Sequence, residues 1–123
     1  SRAYVASELA GNVYAISVAC RRANAVVQVG QYPNGVAVHP DGTRIFISNG
    51  RDGSVMSIDT TSNTVLATVE VGKRPWNMAV TPEGSKLYVA NGRSNSVSVV
   101  DTASFTKLRD IEVGELPWGV SIR

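Results

Sequence analysis

The chain contains 123 residues, 43% of them hydrophobic and 18% charged, with a formal net charge of +2. This composition is typical of an ordinary globular protein, and the dispersed charges argue against a strong nucleic-acid footprint while leaving weak polyanion binding open. No apolar run approaches the roughly 20 residues of a membrane-spanning helix.

The same residue types recur every 42 positions along the whole chain, as the spacing of Gly30, Gly72 and Gly114 shows. No gap is needed to keep this step. The other recurring positions are Pro33, Pro75 and Pro117; Val13, Val55 and Val97; and Tyr4, Phe46 and Tyr88. Self-similarity at a fixed period of this length indicates a repeat fold.

Taken in order, residues 1–30 are expected to form the second, third and fourth strands of a first unit. Residues 31–72 and 73–114 each form a complete four-stranded unit, and residues 115–123 supply a lone first strand, centred on 118–122. Because the chain opens inside a turn and without an initiator methionine, we expect an excised, processed or engineered piece, or a chain whose leader has been removed.

Within one unit, short apolar runs alternate with turn residues. In the third unit the runs lie at 77–80, 86–90, 96–100 and 106–113, and the first break is Pro82-Glu83-Gly84. Four strands of about five residues joined by such turns predict an antiparallel meander. Nothing repeats at helical spacing over a useful length.

Four strands per repeat of about 40 residues predict the blade of a β-propeller, an all-β fold, with three blades' worth of strands in this chain. The second strand has apolar residues on both faces, as in Ile45-Phe46-Ile47, which a sheet sandwiched between neighbours requires. The fourth strand alternates instead, which suits an outer edge. Its inward residues are expected to be Val65, Ala67, Val69 and Val71, and its outward residues Thr68 and Glu70.

Tyr88-Val89-Ala90-Asn91 and Tyr4-Val5-Ala6-Ser7 resemble the Tyr-Val-Thr-Asn signature of the YVTN family of β-propeller repeats. Pro75-Trp76, Thr81-Pro82-Glu83-Gly84 and Val99-Val100-Asp101-Thr102 fit the same repeat, so the resemblance covers the chain. It implies a propeller that is secreted, periplasmic or attached to the cell surface. Similar propellers occur in surface-layer proteins, periplasmic binding proteins and quinoprotein or haem enzymes, so the fold does not fix the function.

In an antiparallel blade, the loops that enter first strands share one end with the loops between second and third strands. We call this end the loop face. Basic and aromatic residues cluster there, and they are candidates to bind a small acidic or aromatic ligand by charge and stacking. These candidates are Arg51, Lys73, Arg74, Trp76, Arg93 and Trp118. For the tryptophans, the competing interpretation is that the indole packs on the neighbouring blade.

Four other residues are interpreted as structural. Cys20 has no partner and is expected to be a tolerated loop thiol, with an intermolecular disulfide as the alternative. His39 is expected to be a solvated loop residue, with haem ligation as the alternative. Asp59 and Asp101 are expected to form turns by accepting backbone N–H bonds. Because no zinc, calcium, phosphate-loop or nucleophile motif appears, no catalytic residue, metal or cofactor is expected.

Two classes of function stay open. The favoured one is a non-enzymatic binding or scaffold module, because no catalytic constellation is visible. The other is a fragment of a propeller enzyme, either a lactonase-like hydrolase or a quinoprotein or haem redox propeller, whose catalytic residues lie elsewhere. An engineered propeller fragment without a function of its own is a third alternative.

The strand inventory also predicts assembly with a second copy into a six-bladed homodimer. Residues 118–122 of each copy would complete the first unit of the other beside Tyr4-Val5-Ala6. Three copies would give nine blades, outside the usual range of about four to eight. The rival is another propeller segment of different length that completes seven or eight blades.

Overall fold

Three antiparallel sheets follow one another along the chain, and the computed structural model describes all 123 residues. The first sheet has three strands and the others four, and each pairs its strands in chain order. The strands are β1 (Arg2–Ser7), β2 (Asn12–Ser17), β3 (Arg22–Gln28), β4 (Pro33–Val38), β5 (Arg44–Asn49), β6 (Ser54–Asp59), β7 (Val65–Glu70), β8 (Pro75–Val80), β9 (Lys86–Asn91), β10 (Ser96–Asp101) and β11 (Thr106–Glu112). The predicted all-β fold of antiparallel blades is confirmed.

The central sheet is covered on both faces, as predicted from its second strand. Ile45 and Ile47 of β5 pack towards the first sheet, and Phe46 packs towards the third. All three side chains are fully buried. Because successive side chains of a strand point to opposite faces, β5 joins two separate hydrophobic clusters, one on each side of the central sheet.

The predicted alternation of the outer strand β7 is right for three of its four inward residues. Ala67, Val69 and Val71 pack against the cluster around Phe46. Val65 is 41% exposed, because the pairing of β6 with β7 shifts between Ser57 and Ile58. A β-bulge of this kind inserts one extra residue and reverses the faces beyond it. The inward position expected for Val65 is therefore wrong.

Polar bonds tie each sheet to the next at the end opposite the loop face. An Nη1 nitrogen of Arg44 donates to the carbonyl oxygen of Thr102 at 2.6 Å. Arg2, one repeat earlier, donates to the carbonyl oxygen of Thr60. The same link between neighbouring blades is thus made twice, by residues that the 42-residue period relates.

His39 lies between two blades, so the solvated environment expected for it is wrong. Its side chain is 12% exposed, and Nε2 lies 3.1 Å from the carbonyl oxygen of Gly84. Nδ1 lies 2.7 Å from Oδ1 of Asp41, and the ring meets the edge of Phe46. The position of His39 beside its own turn is as predicted. What buries the ring is the turn of the following blade, which packs over it.

The two predicted turn-forming aspartates act as expected. Oδ1 of Asp59 accepts the backbone N–H groups of Thr61 and Ser62, at 2.9 and 2.7 Å. Asp101 makes the same pair of bonds one repeat later, at 3.0 and 2.9 Å. Hydrogen bonds to the charged form stabilise it, so the pKa of each carboxyl is lowered, first by the serine N–H.

Residues 118–122 form no strand, in contrast to the lone first strand expected there. Their one backbone bond to the sheets runs from the N–H of Asn77 to the carbonyl oxygen of Trp118, at 3.3 Å. A strand needs a continuous ladder of such bonds, and no second strand lies beside this segment to supply one.

Cys20 is an exposed, free thiol in the turn between β2 and β3. No helix in the structure has the length and hydropathy of a membrane span. Nowhere do three His, Cys, Asp or Glu side chains converge in an arrangement suited to a metal ion.

Gly84→Ala and Gly42→Ala are a matched pair, because the two glycines are one repeat apart with φ of 83° and 76°. A Cβ at Gly84 would lie 2.5 Å from Nε2 of His39, whereas nothing lies within 4 Å of one at Gly42. We expect Gly42→Ala to lower the free energy of unfolding by about 1 kcal/mol through backbone strain. Gly84→Ala should lower it by about 2–4 kcal/mol, because the ring of His39 must also move. Urea denaturation measures both, and equal losses would contradict the contact between the blades.

The Asp101→Asn variant removes the negative charge of the turn and keeps its hydrogen bonds, because the amide oxygen still accepts them. The pKa of Asp101 is lowered to about 2 by the N–H of Ser104, then by the side chains of Lys86 and Ser104. The folded-state pKa lies below the unfolded value of about 3.9, so this contribution is present above about pH 4 and is lost towards pH 2. We expect the variant to have a lower free energy of unfolding than the parent chain at pH 7. Between pH 4 and pH 2 it should lose less of that free energy than the parent chain does. Thermal melts across this range test it, and parallel profiles would refute the idea.

Candidate functional site

Four of the six candidate residues line one open groove on the loop face, with a volume of about 830 Å³. They are Arg51, Lys73, Arg74 and Arg93. Arg51 belongs to the hairpin between β5 and β6, Lys73 and Arg74 to the loop that enters β8, and Arg93 to the hairpin between β9 and β10. We call it the basic groove. It lies between the second and third sheets.

A buried asparagine fixes each loop that enters an inner strand. Oδ1 of Asn91 accepts the N–H of Gly72 at 3.1 Å, and its Nδ2 donates to the hydroxyls of Ser96 and Ser98 at 3.1 and 2.8 Å. In the second sheet, Asn49 makes equivalent bonds to the loop that enters β4 and to Ser54, the first residue of β6. A fully buried amide with its bonds satisfied holds the loop rigidly, because breaking it would leave unpaired polar groups.

Backbone bonds then hold the cationic loop of β8 to the hairpin beside it. The N–H of Gly92 donates to the carbonyl oxygen of Arg74 at 2.9 Å, and that of Arg93 to the carbonyl oxygen of Lys73 at 3.0 Å. The N–H of Lys73 donates to the hydroxyl of Ser94 at 2.6 Å. The main chain is thus fixed, and the basic side chains project from a fixed frame.

The basic groove has an excess of positive charge. Its lining holds four cations and two carboxylates, Asp52 and Glu70, which leaves a formal charge of +2. That equals the net charge of the entire chain. None of the three ion pairs in the structure involves a groove residue. Oδ2 of Asp52 instead accepts the N–H of Gln31 at 2.8 Å.

Tyr32 brings two of the arginines together. The guanidinium carbon of Arg51 lies 4.2 Å from the centre of the Tyr32 ring, and that of Arg74 lies 5.5 Å from it. Attraction between a cation and a ring face orients both groups without neutralising them. The arginines therefore keep their capacity to bind an anion.

A second groove, of about 510 Å³, lies one repeat earlier and is built from equivalent positions. Leu9, Gln31 and Tyr32 stand where the basic groove has Arg51, Lys73 and Arg74. The lining of this second groove contains two carboxylates, Glu8 and Asp52, and no cation. The backbone repeat thus forms both grooves, while the positive charge belongs to one of them.

Trp76 and Trp118 do not line the basic groove. Their ring centres are 4.3 Å apart. The indole of Trp76 also lies directly over the backbone of Gly92, where a Cβ would come within 2.6 Å of it. Trp76 thus packs on the hairpin of its own blade and on Trp118, whereas the packing interpretation placed the indole on the neighbouring blade. Trp118 is 65% exposed.

The groove also contains residues that were not among the sequence candidates, namely Asp52, Glu70 and Ser94. Asp52 directly follows Arg51 in the sequence, and Ser94 directly follows Arg93. Their place in the groove could have been predicted from these neighbours. Glu70 ends the outer strand opposite Ser54, which begins β6, so its side chain reaches the loop face. Strand pairing, rather than residue type, places it there.

This arrangement suits charge recognition more than covalent catalysis. Neither His39 nor Cys20 lines the groove, so it holds no Ser–His or Cys–His pair. The side chain of Asp52 accepts a backbone N–H, whereas the carboxylate of Glu70, which lines the groove, accepts no hydrogen bond from another side chain or from the backbone. Glu70 is therefore the carboxylate best placed to act on a bound ligand.

Trp76→Ala and Trp118→Ala test which indole is part of the scaffold. We expect the loss of the Trp76 ring to cost about 2 kcal/mol, because it is half-buried and packs on Gly92. We expect a cost below about 1 kcal/mol for the exposed Trp118 ring. Chemical denaturation compares the two variants with the parent chain. An equal or larger loss from Trp118→Ala would contradict this assignment.

Several solved structures contain a similar arrangement. The hydrazine synthase of Kuenenia stuttgartiensis matches 95% of this chain with a TM-score of 0.91 and 24% identity. A putative 6-phosphogluconolactonase of Bacteroides fragilis matches 94% with a TM-score of 0.77 and 25% identity. A dihydro-heme d1 dehydrogenase, NirN, matches 88% with a TM-score of 0.77 and 22% identity.

The chain spans 34%, 37% and 23% of these three proteins, respectively. No curated protein matches it in sequence. A family model, the seven-bladed β-propeller lactonase, matches residues 1–113. This match covers most of the chain, and the chain therefore belongs to the lactonase family of seven-bladed β-propellers.

Proposed function

We propose that this chain is a ligand-binding blade segment of a propeller and that its basic groove binds an anionic small molecule. The observation that carries the proposal is the contrast between two grooves of the same backbone. The basic groove has cations at three positions where its equivalent has Leu9, Gln31 and Tyr32. Because the same backbone forms both grooves, the fold does not require cations at these positions. We therefore assign the cations to ligand binding.

A phosphate or carboxylate group fits the available chemistry. Guanidinium groups donate pairs of N–H bonds to such anions, and Lys73 adds a point charge. Since no ion pair neutralises these groups, an incoming anion does not have to displace a protein carboxylate. The open shape of the groove suits a ligand with a sugar-sized body attached to its charged group.

We further infer that the repeats are of the YVTN type and that the parent propeller is secreted, periplasmic or at the cell surface. Tyr88-Val89-Ala90-Asn91 supports the first inference. It lies on β9, and Asn91 is the buried residue that fixes the entry loop. The second inference follows from that family resemblance.

Lactone hydrolysis is the second candidate, and the family match favours it. The structural relative from Bacteroides fragilis is a putative 6-phosphogluconolactonase. A phosphorylated sugar lactone carries an anion of the kind that the basic groove suits. Glu70 would then be the candidate general base for an attacking water, since Asp52 is held by Gln31.

A haem redox role is less well supported by the residues present. His39 is the only histidine, and both of its ring nitrogens face groups of the protein, Asp41 and the carbonyl of Gly84. The residues of this chain therefore do not fit an axial haem site.

Titration calorimetry at low salt with 6-phosphogluconate and with neutral glucose tests the proposal. We expect 6-phosphogluconate to bind more tightly, and Arg74→Gln or Arg93→Gln to weaken its binding by about tenfold each, from the loss of a charge-assisted bond. Arg109→Gln, on β11 and outside the groove, is the matched control. Equal effects at Arg109, or equal affinity for both ligands, would count against a specific anion site.

Hydrolysis of 6-phosphogluconolactone, followed by acid release, separates the two candidates. Turnover that falls at least about tenfold in Glu70→Gln, with ligand affinity kept, would favour the enzyme. Binding without turnover would favour the binding module.

A further inference from the structure

The four cations of the basic groove come from two neighbouring blades. Arg51 lies on the hairpin between β5 and β6, in the second sheet. The other three lie on the entry loop and the hairpin of the third sheet, namely Lys73, Arg74 and Arg93. The groove volume of about 830 Å³ is in the range of sites that enclose whole small molecules. It therefore has room for more than a single anionic group.

Arg51 and Arg74 meet at the ring of Tyr32, and we call them the ring pair. Their guanidinium carbons lie 4.2 and 5.5 Å from the centre of that ring. Arg74 reaches it from the next blade, with its Cδ 3.9 Å from the place that a Cβ of Gly50 would occupy. Neither arginine makes an ion pair, so two like charges face the same ring. An anion that contacts both replaces their repulsion with attraction.

Lys73 and Arg93 are joined through the main chain, and we call them the hairpin pair. The N–H of Arg93 donates to the carbonyl oxygen of Lys73 at 3.0 Å, and the N–H of Lys73 donates to the hydroxyl of Ser94 at 2.6 Å. Both side chains line the groove, and neither takes part in an ion pair or a cation–π contact. The hairpin pair is thus a second set of cations that no carboxylate neutralises.

The two pairs are anchored on different sheets. Tyr32 precedes β4 of the second sheet, whereas Ser94 lies on the hairpin of the third. Stacked sheets pack about 10 Å apart, which is more than one phosphate group spans. It is comparable to the length of a hexose with a phosphate at each end. One small anion therefore does not contact both pairs closely.

The carboxylates of the groove favour a ligand body that carries hydroxyl groups. Asp52 accepts the N–H of Gln31, whereas Glu70 accepts no hydrogen bond from another side chain or from the backbone. A carboxylate of this kind accepts hydrogen bonds from hydroxyl groups and repels a further anion. A polyol with its charges confined to its ends suits this lining.

We propose that the basic groove binds a sugar-sized polyol with an anionic group at each end, such as a sugar bisphosphate. One anion contacts the ring pair, and the other contacts the hairpin pair. This inference rests on the proposed function, since it requires that the groove binds anions at all. It adds that two anions bind at separate places, which defines the class of ligand.

Titration calorimetry at low salt with fructose 1,6-bisphosphate and with fructose 6-phosphate tests the two-anion site. We expect the bisphosphate to bind at least about tenfold more tightly, because its second phosphate adds charge-assisted hydrogen bonds. Pyrophosphate, which has a similar charge in one compact group, is expected to bind more weakly than the bisphosphate. Equal affinities of pyrophosphate and the bisphosphate would overturn the proposal, since total charge alone would then decide binding.

Arg51→Gln and Lys73→Gln each remove one cation from a different pair. Each is expected to abolish most of the advantage of the bisphosphate. Affinity for fructose 6-phosphate should change by less than about threefold, because one phosphate can use the remaining pair. Arg109→Gln, on β11 and outside the groove, controls for the lost charge and should leave both affinities unchanged. Equal losses for the two ligands in either groove variant would refute separate anion subsites.

The two proposals fail in different ways. If fructose 6-phosphate binds and the bisphosphate binds no more tightly, the groove is an anion site and the second subsite is refuted. If neither ligand binds, both proposals are refuted.

Discussion

A sheet with apolar side chains on both faces cannot be stable alone, and the rest of this structure depends on that constraint. Ile45, Phe46 and Ile47 are all fully buried only because a sheet lies on each side of β5. The first and third sheets have one neighbour each, and Tyr88 of β9 is only half-buried. Stability therefore rises with the number of blade junctions, as in other proteins built of stacked repeats.

Two sets of contacts lie at opposite ends of the sheets, one between neighbouring blades and the other within each blade. At one end, arginines bond to the turn carbonyls of the next blade, and His39 fits under Gly84. At the other end, Asn49 and Asn91 secure the loops of their own blades. Because the second set is internal to each blade, the loop face can hold its shape while its exposed side chains vary. Structure and recognition are thus carried by different residues of the same repeat.

Much of the fold could be predicted from the 42-residue period, because turn glycines, prolines and aspartates mark the strand ends directly. The clustering of Arg51, Lys73, Arg74 and Arg93 also followed, since the meander alone decides which loops share an end. These are local or topological properties, and one sequence contains them.

The features that escaped prediction depend on partners distant in sequence. The turn that buries His39 lies 45 residues further along the chain, and a local sequence pattern cannot predict such a contact. Val65 faces outward because of a bulge that composition does not mark. Residues 118–122 form no strand, although their residue types favour one. Glu70 joins the basic groove through strand register.

Tyr32, Arg74 and Leu116 share one unusual backbone conformation, with φ of 56°, 56° and 51°, each directly before a proline. The carbonyl groups of Tyr32 and Arg74 are the atoms that anchor their loops to the adjacent hairpins. Their side chains take no part in that anchoring, and an aromatic, a cationic and an aliphatic residue all occupy the same site. The entry loops of β4 and β8 thus each have one position at which the side chain can differ while the carbonyl group that anchors the loop is kept. Arg74 lines the basic groove and its equivalent Tyr32 lines the second groove, which has no cation, so this one position contributes to the difference in charge between the two.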